Sequence, residues 1–182
     1  MGHHAKGLGL EPGLRRTGEL MFRRQPPFHR GRRGIAVNLS AEERQLVRRL
    51  LGEVRELLTT SPADDPKMRR LFPPAYSDDA EASGEFARLM RDELVTSRVA
   101  AIERAEEFLA DDHRTTVTPD ELDAFAMSLN GVRLVLGTLL DVGEDDDLDE
   151  LSADDPHAAE HGLYNFLSWL VDSAVTALSR DS

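Results

Sequence analysis

The stretch from Thr118 to Asp141 constrains the fold of this chain more than any other part of the sequence. Thr118 is followed three residues later by Glu121, the pattern of a helix capping box, and Pro119 stands at the first helical position, where no N–H is needed. At about 100° per residue, one face of the predicted helix collects apolar side chains. They are Leu122, Phe125, Ala126, Leu129, Leu136 and Leu140. The pattern predicts a long amphipathic helix packed in a core.

Arg133 falls near the middle of that apolar face, with Asn130 and Gly137 on the same side of the helix. A guanidinium in a core is tolerated when it is paired and hydrogen-bonded, so we expect a carboxylate partner. The best candidates follow Tyr76 and are Asp78, Asp79, Glu81 and Glu85. Two interpretations stay open: an ion pair that fixes how two helices dock, or a polar pocket for the carboxylate of a ligand or partner protein.

The chain before this helix contains a second capping box. The run from Ile35 to Leu39 alternates like a half-buried strand, and Ser40 with Glu43 then begins a helix that reaches about Leu58. We expect its arginines, Arg44, Arg48 and Arg55, to face away from its apolar stripe. Because Thr116–Val117 also runs into a capping box, the two extended stretches could pair as a small ribbon.

Further helical segments complete the predicted fold. A short turn over Lys67 to Phe72 precedes a helix that slips in apolar phase, so we predict a break near Arg91 to Glu93 with Asp92 as a new cap. The last helix, from Pro156 to about Ser179, is apolar over most of its circumference. We therefore expect it to lie at the centre of the bundle, packed between the other helices. The sequence predicts a mainly α domain: a single bundle of five or six helices, with an optional two-stranded ribbon.

The charge distribution divides the chain into two parts. The net charge is −12, yet residues 1–34 hold eight Lys or Arg and two Glu. We interpret residues 1–27 as a disordered basic arm and 28–180 as the helical regulatory domain, with translation starting at Met1 or Met21. The acidic body favours a basic protein partner, and nucleic-acid contact is expected only through the arm. No apolar run suggests a membrane span and cysteine is absent, so we expect a cytoplasmic protein.

One motif suggests an enzyme. His157, Glu160 and His161 fit the H-x-x-E-H pattern of inverted zinc peptidases, which places two imidazoles one helical turn apart. Only 21 residues follow His161 and none is Glu, so the carboxylate ligand of such enzymes is missing; Asp172 lies three turns along the same helix. A zinc-dependent hydrolase is therefore a distant alternative, and we expect no enzyme, no metal and no cofactor.

Several spaced motifs resemble an actinobacterial family of domains of unknown function (number two-zero-one-seven), whose named members are the AosR-type oxidative stress regulators. The strongest is Leu129-Asn-Gly-Val-Arg133-Leu-Val-Leu-Gly137-Thr. Others are Arg33-Gly-Ile-Ala-Val-Asn-Leu, Arg70-Leu-Phe-Pro-Pro-Ala-Tyr76-Ser-Asp-Asp79, Glu85-Phe86 with Leu94 and Arg98, and Tyr164-Asn-Phe-Leu-Ser-Trp169-Leu. The resemblance covers about Phe28 to Leu178.

The resemblance implies a non-enzymatic regulator of transcription, associated with an alternative sigma factor or RNA polymerase and acting on oxidative stress and cysteine-synthesis genes. The resemblance also implies that the regulator is usually encoded near the ClpS adaptor, so an adaptor in ClpS-linked proteolysis is the alternative. A cysteine-pair redox sensor is impossible in a chain without cysteine. Any partner contact is expected at the cluster of Arg133, Asn130, Gly137, Asp78, Asp79 and Tyr76.

Overall fold

The computed structural model describes residues 25–32, 34–62, 65–72, 80–141 and 157–179, with no account of the side chains of 80–89. This part is mainly helical. Its four α-helices are α1 (Ala41–Thr60), α2 (Ala80–Leu109), α3 (Pro119–Leu139) and α4 (Ala158–Ser179). Three short strands accompany them: β1 (Phe28–Gly31), β2 (Gly34–Val37) and β3 (Thr116–Val117). The expected five or six helices were too many for the part described.

The predicted ribbon exists and is extended by a third strand. β2 pairs antiparallel with β3, with Ile35 opposite Val117, as expected from the two extended stretches. β1 pairs antiparallel on the other edge of β2, with Phe28 opposite Val37. Gly31 is paired with Gly34, which adopts φ of +120°, a conformation that glycine accepts without strain. The sheet lies where chain segments far apart in sequence meet.

The described part of the chain begins shortly before β1. Residues 1–24 lie outside the described part, so the disordered arm over 1–27 stays a prediction there. Its last two residues contact the sheet, because Asn38 donates its backbone N–H to the Pro27 carbonyl at 2.8 Å and its side-chain amide to the Pro26 carbonyl at 3.1 Å. The contacts of the sheet therefore include Pro26 and Pro27.

The predicted break in the second helix was wrong. α2 runs without interruption for 30 residues, and Thr96 donates its hydroxyl to the Asp92 carbonyl within the helix, so Asp92 caps nothing. The slip in apolar phase has a different cause: Met90 and Leu94 are 39% and 41% exposed and do not join the core. The predicted turn over Lys67 to Phe72 is a three-residue 3-10 helix, Pro66–Met68, followed by turns.

The core surrounds α3, not α4 as we predicted. α3 packs against the other three helices and the 3-10 helix, whereas α4 packs mainly against α3 and β1. Small residues on α3 allow the neighbouring helices to pack close to its backbone. In contrast, α4 leaves Asp172, Val175 and Thr176 exposed. α3 also has the length and apolar character of a membrane span, which we had not expected, with 61% of its apolar window buried inside the fold. Such burial is typical of the core helix of a globular domain.

Candidate functional site

The predicted capping box holds the start of the helix that carries the site. Thr118 accepts a hydrogen bond from the Glu121 backbone N–H, and the Glu121 carboxylate accepts one from the Thr118 N–H at 2.9 Å. Arg114 also places Nη2 2.7 Å from both Glu121 carboxylate oxygens. Burial alone would raise the pKa of Glu121, but the hydrogen bonds from Thr118 and Arg114 outweigh it and hold the pKa below its ordinary value.

Arg133 lies half-buried between α3 and α4. Its Nη1 donates a long hydrogen bond of 3.5 Å to Ser168 Oγ, and its guanidinium carbon lies 6.0 Å from the centre of the Tyr164 ring. Its Nε is buried and meets no acceptor among the described residues. No carboxylate in that part of the chain forms an ion pair with it. Because Arg133 as a whole is half-buried, a further acceptor could reach the accessible part of its side chain.

Gly137 lies one turn further along α3 and makes room for two large side chains. A β-carbon at this position would stand 3.0 Å from Arg70 Nη1 and 3.1 Å from Tyr164 Cε2. Both distances are shorter than ordinary van der Waals contact, so the missing side chain lets Arg70 and Tyr164 approach the helix backbone. Two arginines, Arg70 and Arg133, thus lie near the same tyrosine.

Asn130 completes the group on the same side of α3. It is half-buried, and its Oδ1 has no hydrogen-bond donor among the residues described. We call Arg70, Asn130, Arg133, Tyr164 and Ser168 the Arg133 surface. All five are half-buried, so each is partly accessible to solvent. Guanidinium, amide and hydroxyl groups in this arrangement can bind a carboxylate by charge-assisted hydrogen bonds, with the tyrosine ring as an apolar floor.

The predicted carboxylate partners of Arg133 lie outside the side chains that the structure describes. Tyr76, Asp78 and Asp79 lie outside the described residues, and Glu81 and Glu85 are described only as helical backbone at the start of α2. An ion pair between one of them and Arg133 stays a prediction. Asn130, Arg133 and Gly137 lie on successive turns of α3.

The histidine motif lies at the start of α4. His157 precedes the helix and is exposed, while His161 is half-buried with a buried Nδ1 that has no described hydrogen-bond partner. Asp172 is exposed further along the same helix. Within the described ranges, no three His, Asp or Glu side chains are grouped closely enough to hold a metal ion.

The sequence pattern did not predict the burial of two arginines, Arg44 and Arg98. Arg44 is 1% exposed, contrary to our expectation that it faces solvent; its Nε donates to the Leu39 carbonyl at 3.4 Å and its Nη2 to the Arg114 carbonyl at 2.6 Å. Burial lowers the pKa of Arg44, against an opposing effect of Asp112 and Asp111. Arg98 on α2 is also partly buried. The helical period was the available signal, since Arg44 shares a face with Val47 and Val54.

Comparisons with known proteins give one result. Residues 24–178 match a family model described as a domain of unknown function (DUF2017). No curated protein and no solved structure gives a match.

Proposed function

The chain belongs to the DUF2017 family, and we propose that it is a cytoplasmic, non-enzymatic regulator that acts by protein–protein contact through the Arg133 surface. One observation carries the proposal: Arg133 is half-buried beside Tyr164 and Arg70, and no described carboxylate pairs with it. An acidic side chain of a partner protein would supply the missing acceptor.

The chemistry of the Arg133 surface favours such a contact. An arginine has five N–H donors and stays charged at all physiological pH values, so a desolvated guanidinium needs acceptors around it. Arg133 finds one long hydrogen bond to Ser168, and its Nε finds none among the described residues. Arginine and tyrosine are also the residues that most often dominate binding energy at protein interfaces. A carboxylate docking here would bind both by charge and by contact with the Tyr164 ring.

The charge of the remaining surface bears on the partner. Residues 35–182 hold 14 Lys or Arg and 32 Asp or Glu, so the body around the Arg133 surface is strongly acidic. Complementary charge speeds association and selects among partners more than it adds affinity. A partner with a basic surface and an acidic side chain at its centre would satisfy both features.

The identity of the partner is proposed from the resemblance of the motifs to AosR-type regulators. On that basis the partner is an alternative sigma factor or RNA polymerase, and the regulated genes serve oxidative stress responses and cysteine synthesis. Because this chain has no cysteine, an oxidant signal would have to act on the partner or on the amount of the protein.

Affinity capture from cells under oxidant stress tests the proposal. Tagged wild type, Arg133→Met and the control Arg48→Met, which changes an exposed arginine on α1, are compared. We expect RNA polymerase or a sigma factor with wild type and Arg48→Met, and a loss of roughly tenfold or more with Arg133→Met, the size typical of an interface hot spot. Quantitative mass spectrometry of the eluates measures the loss.

Other outcomes contradict parts of the proposal. Clp components in place of polymerase would favour the adaptor in ClpS-linked proteolysis. An Arg133→Met protein that has lost its helical circular dichroism would show that Arg133 is a structural ion-pair residue. If zinc co-purifies with the protein in a one-to-one ratio and is lost in His161→Ala, the result would favour the zinc-dependent hydrolase.

A further inference from the structure

Helices α3 and α4 run antiparallel, and their contacts fix which residues lie at the same level. Gly137 on α3 lies against Tyr164 on α4. One turn back along α3, Arg133 bonds Ser168, which lies one turn further along α4. Each turn toward the start of α3 is therefore matched by a turn toward the end of α4.

The same register brings two exposed apolar side chains to one level. Two further turns place Met127 level with Val175. Phe28 gives independent support, because it packs against Phe125 on α3 and bonds Ser173 on α4. Among the residues with described side chains, Met127 and Val175 are the most exposed large apolar ones, at 49% and 48%.

This apolar pair continues the Arg133 surface along the two helices. Ser168 and Val175 are seven residues apart and so share a face of α4, because two turns of a helix take about seven residues. On α3, Met127, Asn130 and Arg133 follow one another at intervals of three residues, the spacing of a continuous ridge. We call these five residues the α3–α4 stripe. It is polar at Arg133 and apolar at Met127, about 9 Å away along the helix.

We propose that the partner docks through an amphipathic helix that lies along the α3–α4 stripe, an inference that rests on the proposed function of the Arg133 surface. One carboxylate of the docking helix accepts hydrogen bonds from Arg133, and an aliphatic side chain about seven residues away packs against Met127 and Val175. Seven residues return a helix to the same face over about 10.5 Å, which fits the length of the stripe.

The charge of the stripe selects an acidic helix. Arg133 forms no ion pair with a carboxylate in the described ranges, and its one hydrogen bond, to Ser168, is 3.5 Å long. A carboxylate from outside would complement this charge, while the flexible side chain of Met127 adapts to the shape of an aliphatic neighbour.

The helical walls of the stripe favour a helical occupant over an extended one. The backbone N–H and C=O groups of α3 and α4 bond within their own helices, so an extended segment would find no row of backbone partners there. A docking helix satisfies its own backbone and needs only side-chain contacts.

Affinity capture with substitutions at the apolar end of the stripe tests the proposal. The double variant Met127→Gln, Val175→Asn should reduce the captured partner roughly tenfold, because the aliphatic contact is lost while Arg133 stays in place. The control, Met90→Gln with Thr176→Asn, changes exposed residues outside the stripe and should capture as much partner as wild type. Circular dichroism should show unchanged helix content in both.

The combined results separate this inference from the proposed function. Loss of the partner in Arg133→Met with normal capture by Met127→Gln, Val175→Asn would overturn the docking helix and leave the proposed function standing. Normal capture by Arg133→Met would contradict both.

Photo-cross-linking identifies what lies on the stripe. With p-benzoylphenylalanine in place of Val175, sequencing of the cross-linked peptide by mass spectrometry should show an aliphatic residue with Asp or Glu about seven residues away, in the same partner that Arg133→Met loses. Cross-links to a second copy of this chain, to another segment of the same chain, or to a peptide without such a carboxylate would overturn the proposal.

Discussion

Arg44 is accepted by the core because backbone carbonyls and an aromatic ring surround it. Its guanidinium carbon lies 5.4 Å from the centre of the Phe108 ring, and that of Arg114 lies 5.5 Å from the same ring. The Leu39 and Arg114 carbonyls accept its hydrogen bonds. Leu39 precedes α1 and Arg114 precedes β3, so this one side chain connects the two segments that lead into the two capped helices.

Replacing Arg44 by alanine should therefore destabilise the fold strongly. The variant loses two hydrogen bonds to backbone carbonyls and leaves a cavity beside Phe108, which together cost about 2–4 kcal/mol. Chemical denaturation measures the change in the free energy of unfolding. Arg48→Ala is the matched control, because Arg48 is exposed on the same helix and should change stability by less than about 0.5 kcal/mol. Equal effects of the two substitutions would contradict the role assigned to Arg44.

Residue patterns predicted part of the candidate site. Arg133, Asn130 and Gly137 share a face by helical spacing alone, since all three lie on α3. Their neighbours Tyr164 and Arg70 come from α4 and from the segment after the 3-10 helix, and no local pattern links them to α3. Arg44 was misplaced because the general preference of arginine for solvent was given more weight than its position in the apolar stripe.

Helices α1 and α3 begin in the same way, with capping boxes at Ser40 and Thr118. Each was predicted because a capping box lies within four consecutive residues. Because β2 pairs antiparallel with β3, the chain leaves the two strands in opposite directions to enter α1 and α3. Arg114 adds a further contact at α3, because its Nη2 bonds the Glu121 carboxylate.

The lowered pKa of Glu121 makes the start of α3 sensitive to acid. Above its ordinary value of 4.5 the carboxylate is charged in both the folded and the unfolded chain, and its stabilising effect is fully present. Below that value the unfolded chain takes up the proton first, and the stabilisation is lost as the pH falls through the lower pKa of the folded state. Glu121→Gln should therefore lose less stability between pH 7 and about pH 3 than wild type.

Urea denaturation at the two pH values measures this difference. Asp120→Asn, at the exposed neighbouring position, serves as the control and should keep the pH dependence of the wild type. An unchanged pH dependence in Glu121→Gln would mean that the hydrogen bonds of Arg114 and Thr118 do not contribute through the charge of Glu121.

The sequence did not predict the elements that depend on contacts between residues far apart in the chain. The sequence Phe-His-Arg-Gly of β1 shows no apolar alternation, and its strand is fixed by β2 and by α4. The continuity of α2 was missed because exposed Met90 and Leu94 imitate a shifted apolar stripe. Helix starts depend on neighbours in sequence, whereas strand identity and the course of a long helix depend on what packs against them.

At the scale of the whole molecule, hydrogen bonds connect the first strand, β1, to the last helix, α4. The Phe28 N–H donates to Ser173 Oγ at 3.1 Å, and the same hydroxyl donates to the Phe28 carbonyl at 3.2 Å, across a separation of 145 residues. Arg30 adds a bond from Nε to the Ala177 carbonyl at 3.2 Å. Phe28 also packs edge-on against Phe125, with 5.1 Å between ring centres. β1 thus joins α4 to the central helix.

Ser173→Ala should loosen this connection without removing any apolar contact. Both backbone groups of Phe28 lose their partner, so the free energy of unfolding should fall by about 1–2 kcal/mol. Hydrogen exchange at the Phe28 amide should become faster, while exchange in α3 changes in proportion to global stability alone. Thr176→Ala, at an exposed position on α4, is the control. Unchanged protection of Phe28 would contradict the assignment.

The bond between Phe28 and Ser173 also sets an order of events during synthesis. On the ribosome, β1 emerges long before α4 exists, so its partner is missing while α1, α2 and α3 are made. The contact closes a loop that spans nearly the whole domain, and such closure is among the later steps of folding. A nascent chain halted before Ser173 leaves the exit tunnel therefore holds Phe28 without its partner.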